Sequence, residues 1–213
     1  GYTQSDEITL ILVDYKKLTS SAWFDYEVQK ICSIAASMAT MAFNKFFEKY
    51  VDEYRFSKWD GASKYEDGTW GYIQTLLKAV DKGAMFDARC FNIPKEEVTN
   101  LVYWRQLDAS RNSIQMVGQA NFSHKELQNK SCNDIQDMLM TQKEINWNDL
   151  PTYQKRGSCC VKMYQTANGV FESHAEDELV ENGRTYWSID TNIPIFKGEG
   201  REYIDRLVFV GED

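Results

Sequence analysis

The sequence predicts a mixed fold of α/β or α+β class with a mixed sheet. Short apolar runs of strand length recur along the 213 residues, and between them lie long segments whose apolar positions repeat every three to four residues. Thr166-Ala167-Asn168-Gly169 also reads as the turn of a hairpin joining 158–165 to 169–173.

Taken in order, Ile8 to Val13 reads as a mostly buried strand directly behind the acidic pair Asp6-Glu7. From about Ser21 to Tyr54 the pattern turns helical. Trp23, Val28, Ile31, Ala35, Met38, Ala42, Phe46 and Tyr50 recur near the helical period, which predicts one core face. Lys58 to Gly68 is polar and glycine-containing and reads as a loop, with Asp60-Gly61 and Asp67-Gly68 as turn formers. Ile73 to Val80 predicts a shorter helix, and Ala84 to Phe91 a second strand. Pro94 then opens a long helix to about Ala120, with Glu96 and Glu97 near the positive end of its dipole. Ser123 to Leu127 is a turn or new helix start, Cys132 to Met140 a helix, Thr185 to Ile189 a short strand, and Glu202 the start of a last helix. The expected division is a core over residues 1–157 with a hairpin and C-terminal extension over 158–213 packed on it.

Composition narrows the functions. No run approaches the roughly 18 apolar residues of a membrane helix, and the first residues lack the basic start and apolar run of a signal peptide. The five cysteines are scattered, with one vicinal pair, which suits free thiols in a reducing cytoplasm. His124 and His174 have no metal-ligand spacing, and no Cys-x-x-Cys occurs, so a zinc site is not expected. The formal charge of −8 would confine any nucleic-acid contact to one locally basic face. No Walker-type loop, dinucleotide-binding glycine motif or nucleophile elbow is present.

Two places could carry chemistry. A carboxylate at a strand edge, such as Asp6 or Glu7, is the hard oxygen ligand that magnesium-dependent phosphoryl transfer uses. Neighbouring strand residues point to opposite faces, so at most one of the pair enters a given site. By itself Ser5-Asp6-Glu7 also reads as a plain turn. On the long helix, Arg105, Asp108, Arg111, Asn112, Gln115 and Gln119 share one face at about 100° per residue. Val98, Val102, Leu107, Ala109, Ile114, Met116 and Val117 occupy much of the other. Asp108 lies within three residues of both arginines and is placed to hold both guanidiniums for phosphate recognition; helix-helix packing is the competing reading. His124, Lys125, Lys30, Lys143, Lys155 and Arg156 add positive charge, and each also reads as an ordinary surface residue.

As an ordered set, these strings resemble the tRNA-histidine guanylyltransferase family. Residues 1–8, Gly-Tyr-Thr-Gln-Ser-Asp-Glu-Ile, are similar to its "GQSDEYSF" motif, and Trp23-Phe24 with Lys30 to its "WF…K" helix. Phe86-Asp87-Ala88-Arg89 and Tyr103-Trp104-Arg105-Gln106-Leu107-Asp108 resemble "FDGR … WRQAD". Arg111-Asn112-Ser113-Ile114, Phe122-Ser123-His124-Lys125-Glu126-Leu127 and Lys130-Ser131 resemble the "RNSI … FSHKEL.GKS" version of the bacterial-type, guanylyltransferase-like branch. Leu150-Pro151-Thr152-Tyr153-Gln154-Lys155-Arg156-Gly157 is similar to the shared "LP.Y.K.G", and the tail with Trp187, Asp190 and Ile193-Pro194 also resembles that branch.

The resemblance implies an α+β polymerase-like palm domain, its mixed or antiparallel sheet flanked by long helices. It implies addition of nucleotides to tRNA 5′ ends in the 3′-to-5′ direction, with two Mg2+ ions and with ATP or GTP as substrates. Asp6 matches the carboxylate that binds both ions, and Ser5 and Glu7 flank it near the nucleotide. Lys30, Asn112 and Lys143 match positions near phosphates. Where relatives carry "HINN" this chain has Ser110-Arg111-Asn112-Ser113, which hands phosphate-facing work to Arg111 and favours repair of truncated tRNA over strict histidine-tRNA specificity. Relatives are usually tetramers, which implies a homo-tetramer. Family members also carry an N-terminal segment whose Asp-Gly strand supplies another metal ligand. Neither Asp60-Gly61 nor Asp67-Gly68 follows the apolar strand needed to replace it. The chain is therefore expected to be a fragment, or half of a cleaved or split protein, that needs that segment or a partner chain to complete a two-metal site. A catalytically inactive tRNA- or nucleotide-binding relative is the alternative.

Overall fold

The computed structural model describes residues 1–14, 20–59, 68–165, 171–172 and 185–209. The chain forms two compact units, Gly1–Leu18 with Ile93–Asp213, and Thr19–Asn92.

The first unit is built on an antiparallel sheet. Its strands are β1 (Tyr2–Gln4), β2 (Glu7–Thr9), β3 (Ser158–Gln165), β4 (Phe171–Glu172) and β5 (Thr185–Asp190). β3 is central. Cys159 pairs with Tyr2 of β1 and with Asp190 of β5, while Tyr164 pairs with Glu172 of β4 and Thr185 of β5. β5 therefore lines one edge of β3, and β1 and β4 take successive stretches of the other. The residues expected at the turn between β3 and β4 lie outside the described residues. Every pairing among the described residues is antiparallel, which makes the class α+β.

The first predicted strand is corrected by this arrangement. Only Glu7–Thr9 pairs, and Ile8 and Leu10 are exposed at 48% and 59% rather than buried. Among the described residues β2 pairs with β1 alone and ends the strand order, so it is an edge strand there. The strand missed in the sequence is β1, three residues too short to show a period.

The unit's helices are α3 (Lys95–Asn121), α4 (His124–Leu127), α5 (Cys132–Lys143), α6 (Thr152–Arg156) and α7 (Glu202–Val208). Pro94 sits one residue before α3, with Glu96 and Glu97 in its first turn as the sequence predicts. Val98 and Val102 of α3, with Ile204 and Val208 of α7, close over Tyr2, Cys159, Ile193 and Phe196 in one core. A second core joins Ile114 and Phe122 to Ile135 and Leu139 of α5.

The buried face of α3 differs from the predicted one. Leu107 and Met116 are exposed, while Thr99, Gln106 and Ser113 are buried. The polar residues go inside because each has a partner there. Thr99 donates to Asp205 Oδ1 of α7, and Ser113 Oγ accepts from Trp147 Nε1 at 3.0 Å. Gln106 uses both ends of its amide, donating to the Pro194 carbonyl and accepting from the Phe196 N–H, each at 2.9 Å. It fastens the 193–196 segment to the middle of α3. Gln106→Ala would leave two backbone groups without their partner and should cost about 2 kcal/mol, read as a lower urea midpoint at unchanged m-value.

The second unit contains α1 (Val28–Ser57) and α2 (Thr69–Lys82), with a 3-10 turn at Trp23–Tyr26. Of the periodic face predicted for α1, Ile31 alone is buried. Val28, Met38, Phe46 and Tyr50 are exposed, and Ile31 and Val51 are the buried residues of the helix. Within this unit α1 packs on α2 through contacts such as Tyr54 against Tyr72, ring centres 5.7 Å apart. The strand predicted over 84–91 is also absent. Asn44 of α1 brackets Ala84, donating to its carbonyl at 2.9 Å and accepting from its N–H at 2.7 Å. Thr40 Oγ1 accepts from the Phe86 N–H. Side chains of a helix thus meet the backbone groups that a neighbouring strand would have met. Asp60, Gly61 and Asp67 lie outside the described residues.

Candidate active site

The acidic pair is presented by the hairpin of β1 and β2. Gln4 and Glu7 are its last cross-strand pair, which leaves Ser5 and Asp6 as a two-residue turn. Ser5 takes a φ of 51°, the positive value that two-residue hairpin turns require. Its hydroxyl donates to Asp6 Oδ1 at 2.8 Å. Asp6 therefore stands at the exposed tip, and Glu7 begins the strand behind it.

α3 meets this hairpin on both sides of the turn. Arg105 Nη1 donates to both oxygens of Glu7, at 3.0 and 3.2 Å, and Gln4 Nε2 donates to the Ala109 carbonyl at 3.3 Å. The guanidinium also lies over the Trp104 ring, 4.9 Å from its centre. Below the turn, Tyr2 is buried, and its hydroxyl donates to the Arg156 carbonyl at 2.7 Å. Burial foremost, then nearby negative groups including Glu7 and Asp108, push its pKa far above the ordinary tyrosine value.

The predicted role of Asp108 as holder of both arginines needs correction. Arg105 turns to Glu7, and Asp108 Oδ2 instead accepts from Asn112 Nδ2 at 3.3 Å, one turn along the helix. The contact to Glu7 is a charge-assisted one in which a single guanidinium nitrogen is shared between both carboxylate oxygens. Arg111 is exposed and makes no ion pair among the described residues.

The remaining cations are spread out. Lys155 Nζ donates to the Asn148 carbonyl and sits 5.9 Å from the centre of the Trp147 ring, so it braces the 147–149 turn. Lys143 lies over the Phe122 ring at 5.4 Å. His124 and Lys125 are exposed at the start of α4. Lys30 belongs to the second unit, where it lies over the Phe24 ring at 5.1 Å. Sequence reasoning missed Gln4, which anchors the hairpin; its place just before Ser5-Asp6 was the available signal.

α4 and α5 begin with reciprocal caps, Ser123 with Glu126 and Ser131 with Asp134. The Ser123 hydroxyl and then its N–H hold Glu126 below the usual carboxylate range; the Ser131 N–H and then its hydroxyl do the same for Asp134. A lowered carboxyl pKa stabilises the fold above the ordinary carboxylate range, and that contribution is lost as pH falls through the folded value. Ser123→Ala with Ser131→Ala should therefore lower the melting midpoint at pH 7. The difference from the parent should shrink below about pH 4, as followed by circular dichroism.

As a hard, exposed carboxylate on a fixed turn, Asp6 fits one magnesium ligand. Among the described residues no group of three His, Cys, Asp or Glu side chains stands close enough to hold a metal ion, so the rest of a two-ion ligand set is not found there. No helix among them is long and apolar enough to cross a membrane.

Comparison with known proteins places the chain in a family. The profile of Thg1, described as tRNAHis guanylyltransferase, matches residues 1–94. A bacterial tRNA(His) guanylyltransferase (Thg1)-like protein solved in complex with ATP is similar to this chain at 39% identity and a TM-score of 0.69, covering 99% of this chain and 70% of its own. Such a bacterial protein in complex with GTP is similar at 34% identity and a TM-score of 0.60, covering 98% and 68%. An uncharacterized protein of Acanthamoeba polyphaga mimivirus is 29% identical over 168 residues, 74% of this chain. This chain spans about half the length of that curated relative, 53% of it.

Proposed function

Because this chain belongs to the tRNAHis guanylyltransferase family, in its bacterial Thg1-like branch, we propose that the whole protein is a tRNA 5′-end nucleotidyltransferase extending RNA in the 3′-to-5′ direction. The observation that carries the reading is the Ser5-Asp6 turn, an open carboxylate fixed at the tip of a hairpin pinned to α3. Structures of similar proteins holding ATP and GTP support nucleotide substrates.

In this reading a 5′-monophosphate RNA end attacks the α-phosphorus of ATP or GTP and expels pyrophosphate. The 3′-hydroxyl of an incoming nucleotide then attacks the activated 5′ phosphorus, forming the new phosphodiester and releasing the nucleoside monophosphate. Magnesium, when bound, supplies charge neutralisation on the reacting phosphates. Asp6 offers it a ligand, Ser5 fixes the carboxylate, and Glu7 is neutralised by Arg105. Arg111, with no ion-pair partner among the described residues, and Asn112, oriented by Asp108, are the phosphate-facing candidates on α3. Lys30, His124, Lys125 and Lys143 are further phosphate contacts in the proposal, and Lys155 reaches phosphate only by leaving the Asn148 carbonyl. The Arg111-containing string favours repair of truncated tRNA, and the family resemblance favours a homo-tetramer.

The test is incubation of the protein from its entire reading frame with 5′-truncated tRNA, magnesium and labelled nucleotides. A labelled product lengthened at the 5′ end supports the reading. Tight tRNA binding without extension, under conditions where a known family member extends the same RNA, would replace it with a binding function.

A further inference from the structure

The geometry points to Arg105 and Gln4 as positioning residues that hold the Ser5–Asp6 turn against α3 from both flanks. Three features combine to make this a clamp. Gln4 and Glu7 face each other across the hairpin, and directly opposite side chains in an antiparallel pair project to the same face, about 5 Å apart. On α3, positions 105 and 109 are one turn apart, roughly 6 Å along the axis. The two spacings match, so Gln4 reaches the Ala109 carbonyl while Glu7 meets the Arg105 guanidinium. A single bond would leave the hairpin free to rock about it; two bonds on either side of the turn fix its direction. Trp104, beneath the guanidinium, keeps Arg105 from swinging away.

Charge points the same way. Asp6 and Glu7 are adjacent carboxylates, and only Glu7 has a cationic partner among the described residues. Arg105 thereby removes the negative charge beside Asp6 that would compete for a cation, and leaves Asp6 as the open ligand. The pair is partly exposed, with side chains 31% and 46% accessible, and pairs of that kind add little to global stability. Its consequence is local geometry rather than folding, so variants should fold and remain testable.

This inference rests on the nucleotidyltransferase reading for its effect on rate, but its geometric part does not. In Arg105→Gln the backbone amides of residues 5–8 should exchange hydrogen roughly fivefold faster, with the melting midpoint nearly unchanged. Gln4→Ala should act in the same direction, and the charge swap Glu7→Arg with Arg105→Glu should restore slow exchange. In extension assays Arg105→Gln should lower kcat by up to about 100-fold, the scale of an ångström-size misplacement, with KM for the incoming nucleotide within about threefold. Unchanged exchange in Arg105→Gln, or a raised KM at constant kcat, would overturn the positioning role and make Arg105 a direct phosphate ligand. Accelerated exchange in a protein that never extends RNA would leave the clamp standing and sink the functional reading instead.

Discussion

Asp6→Ala should reduce magnesium-dependent 5′ extension of truncated tRNA by on the order of 10³-fold or more, while the melting midpoint stays within a few degrees of the parent. The size follows from what the residue offers. Charge neutralisation at a transferring phosphoryl group contributes several kcal/mol at the transition state, and each 1.36 kcal/mol is about tenfold in rate. Stability is spared because the carboxylate is exposed at the hairpin tip and its hydrogen bond is to its neighbour Ser5. Single-turnover labelling with the full-length protein, beside thermal melts of both forms, checks both halves. Asp6→Ala with extension within tenfold of the parent would mean that the carboxylate at this tip is not the essential one. Asp6→Asn is a useful companion, since it keeps the hydrogen-bond acceptor for Ser5 and removes the charge.

The second large effect is structural. Gly157 ends α6 and leads into β3 with φ 82° and ψ −167°, a region essentially closed to side-chain-bearing residues. A Cβ there would stand 2.5 Å from the Thr3 carbonyl oxygen and 3.1 Å from Tyr2 Cε2. The close atom is backbone of β1, so relief requires moving the strand itself. Gly157→Ala should therefore destabilise the protein by about 3 kcal/mol or more, combining backbone strain with the clash. The strand that would move is the one that carries the Ser5–Asp6 turn and pairs with Ser158. Extension activity should fall even at temperatures where the variant remains folded. Urea titration gives the stability change from the midpoint at constant m-value; a loss below about 1 kcal/mol would show that β1 yields easily at this contact.

Both predictions lean on residues whose chemistry was readable early, in surroundings that were not. The helices α3 and α5 and the strands β3 and β5 are legible because each is long enough to show its period, or is bounded by Pro94, Ser131 or Gly157. Asp6 was legible too, as an acid beside an apolar run whose wider string resembles a known family. β1 was not, since three residues cannot display alternation. The segment 84–91 misled for the opposite reason. Its composition suits a strand, but a strand is defined by a partner, and its hydrogen bonds go to Thr40 and Asn44 of a helix.

The choice between α/β and α+β was settled by the antiparallel pairings, while by itself the sequence determined the order of most elements and, through its resemblance, the family and Asp6 as the candidate acid. Those follow from local period, local caps and ordered strings, all of which act over a few residues. Only the tertiary structure decided which side of α3 is buried, that Arg105 serves Glu7 rather than Asp108, and that Gln4 and Gln106 are anchors. An arginine pairs with the carboxylate that the packed hairpin brings to it, and a glutamine goes inside when backbone groups wait for both ends of its amide. Such choices depend on partners 98, 105 or 88 residues away along the chain, brought close only after the sheet and helices have packed.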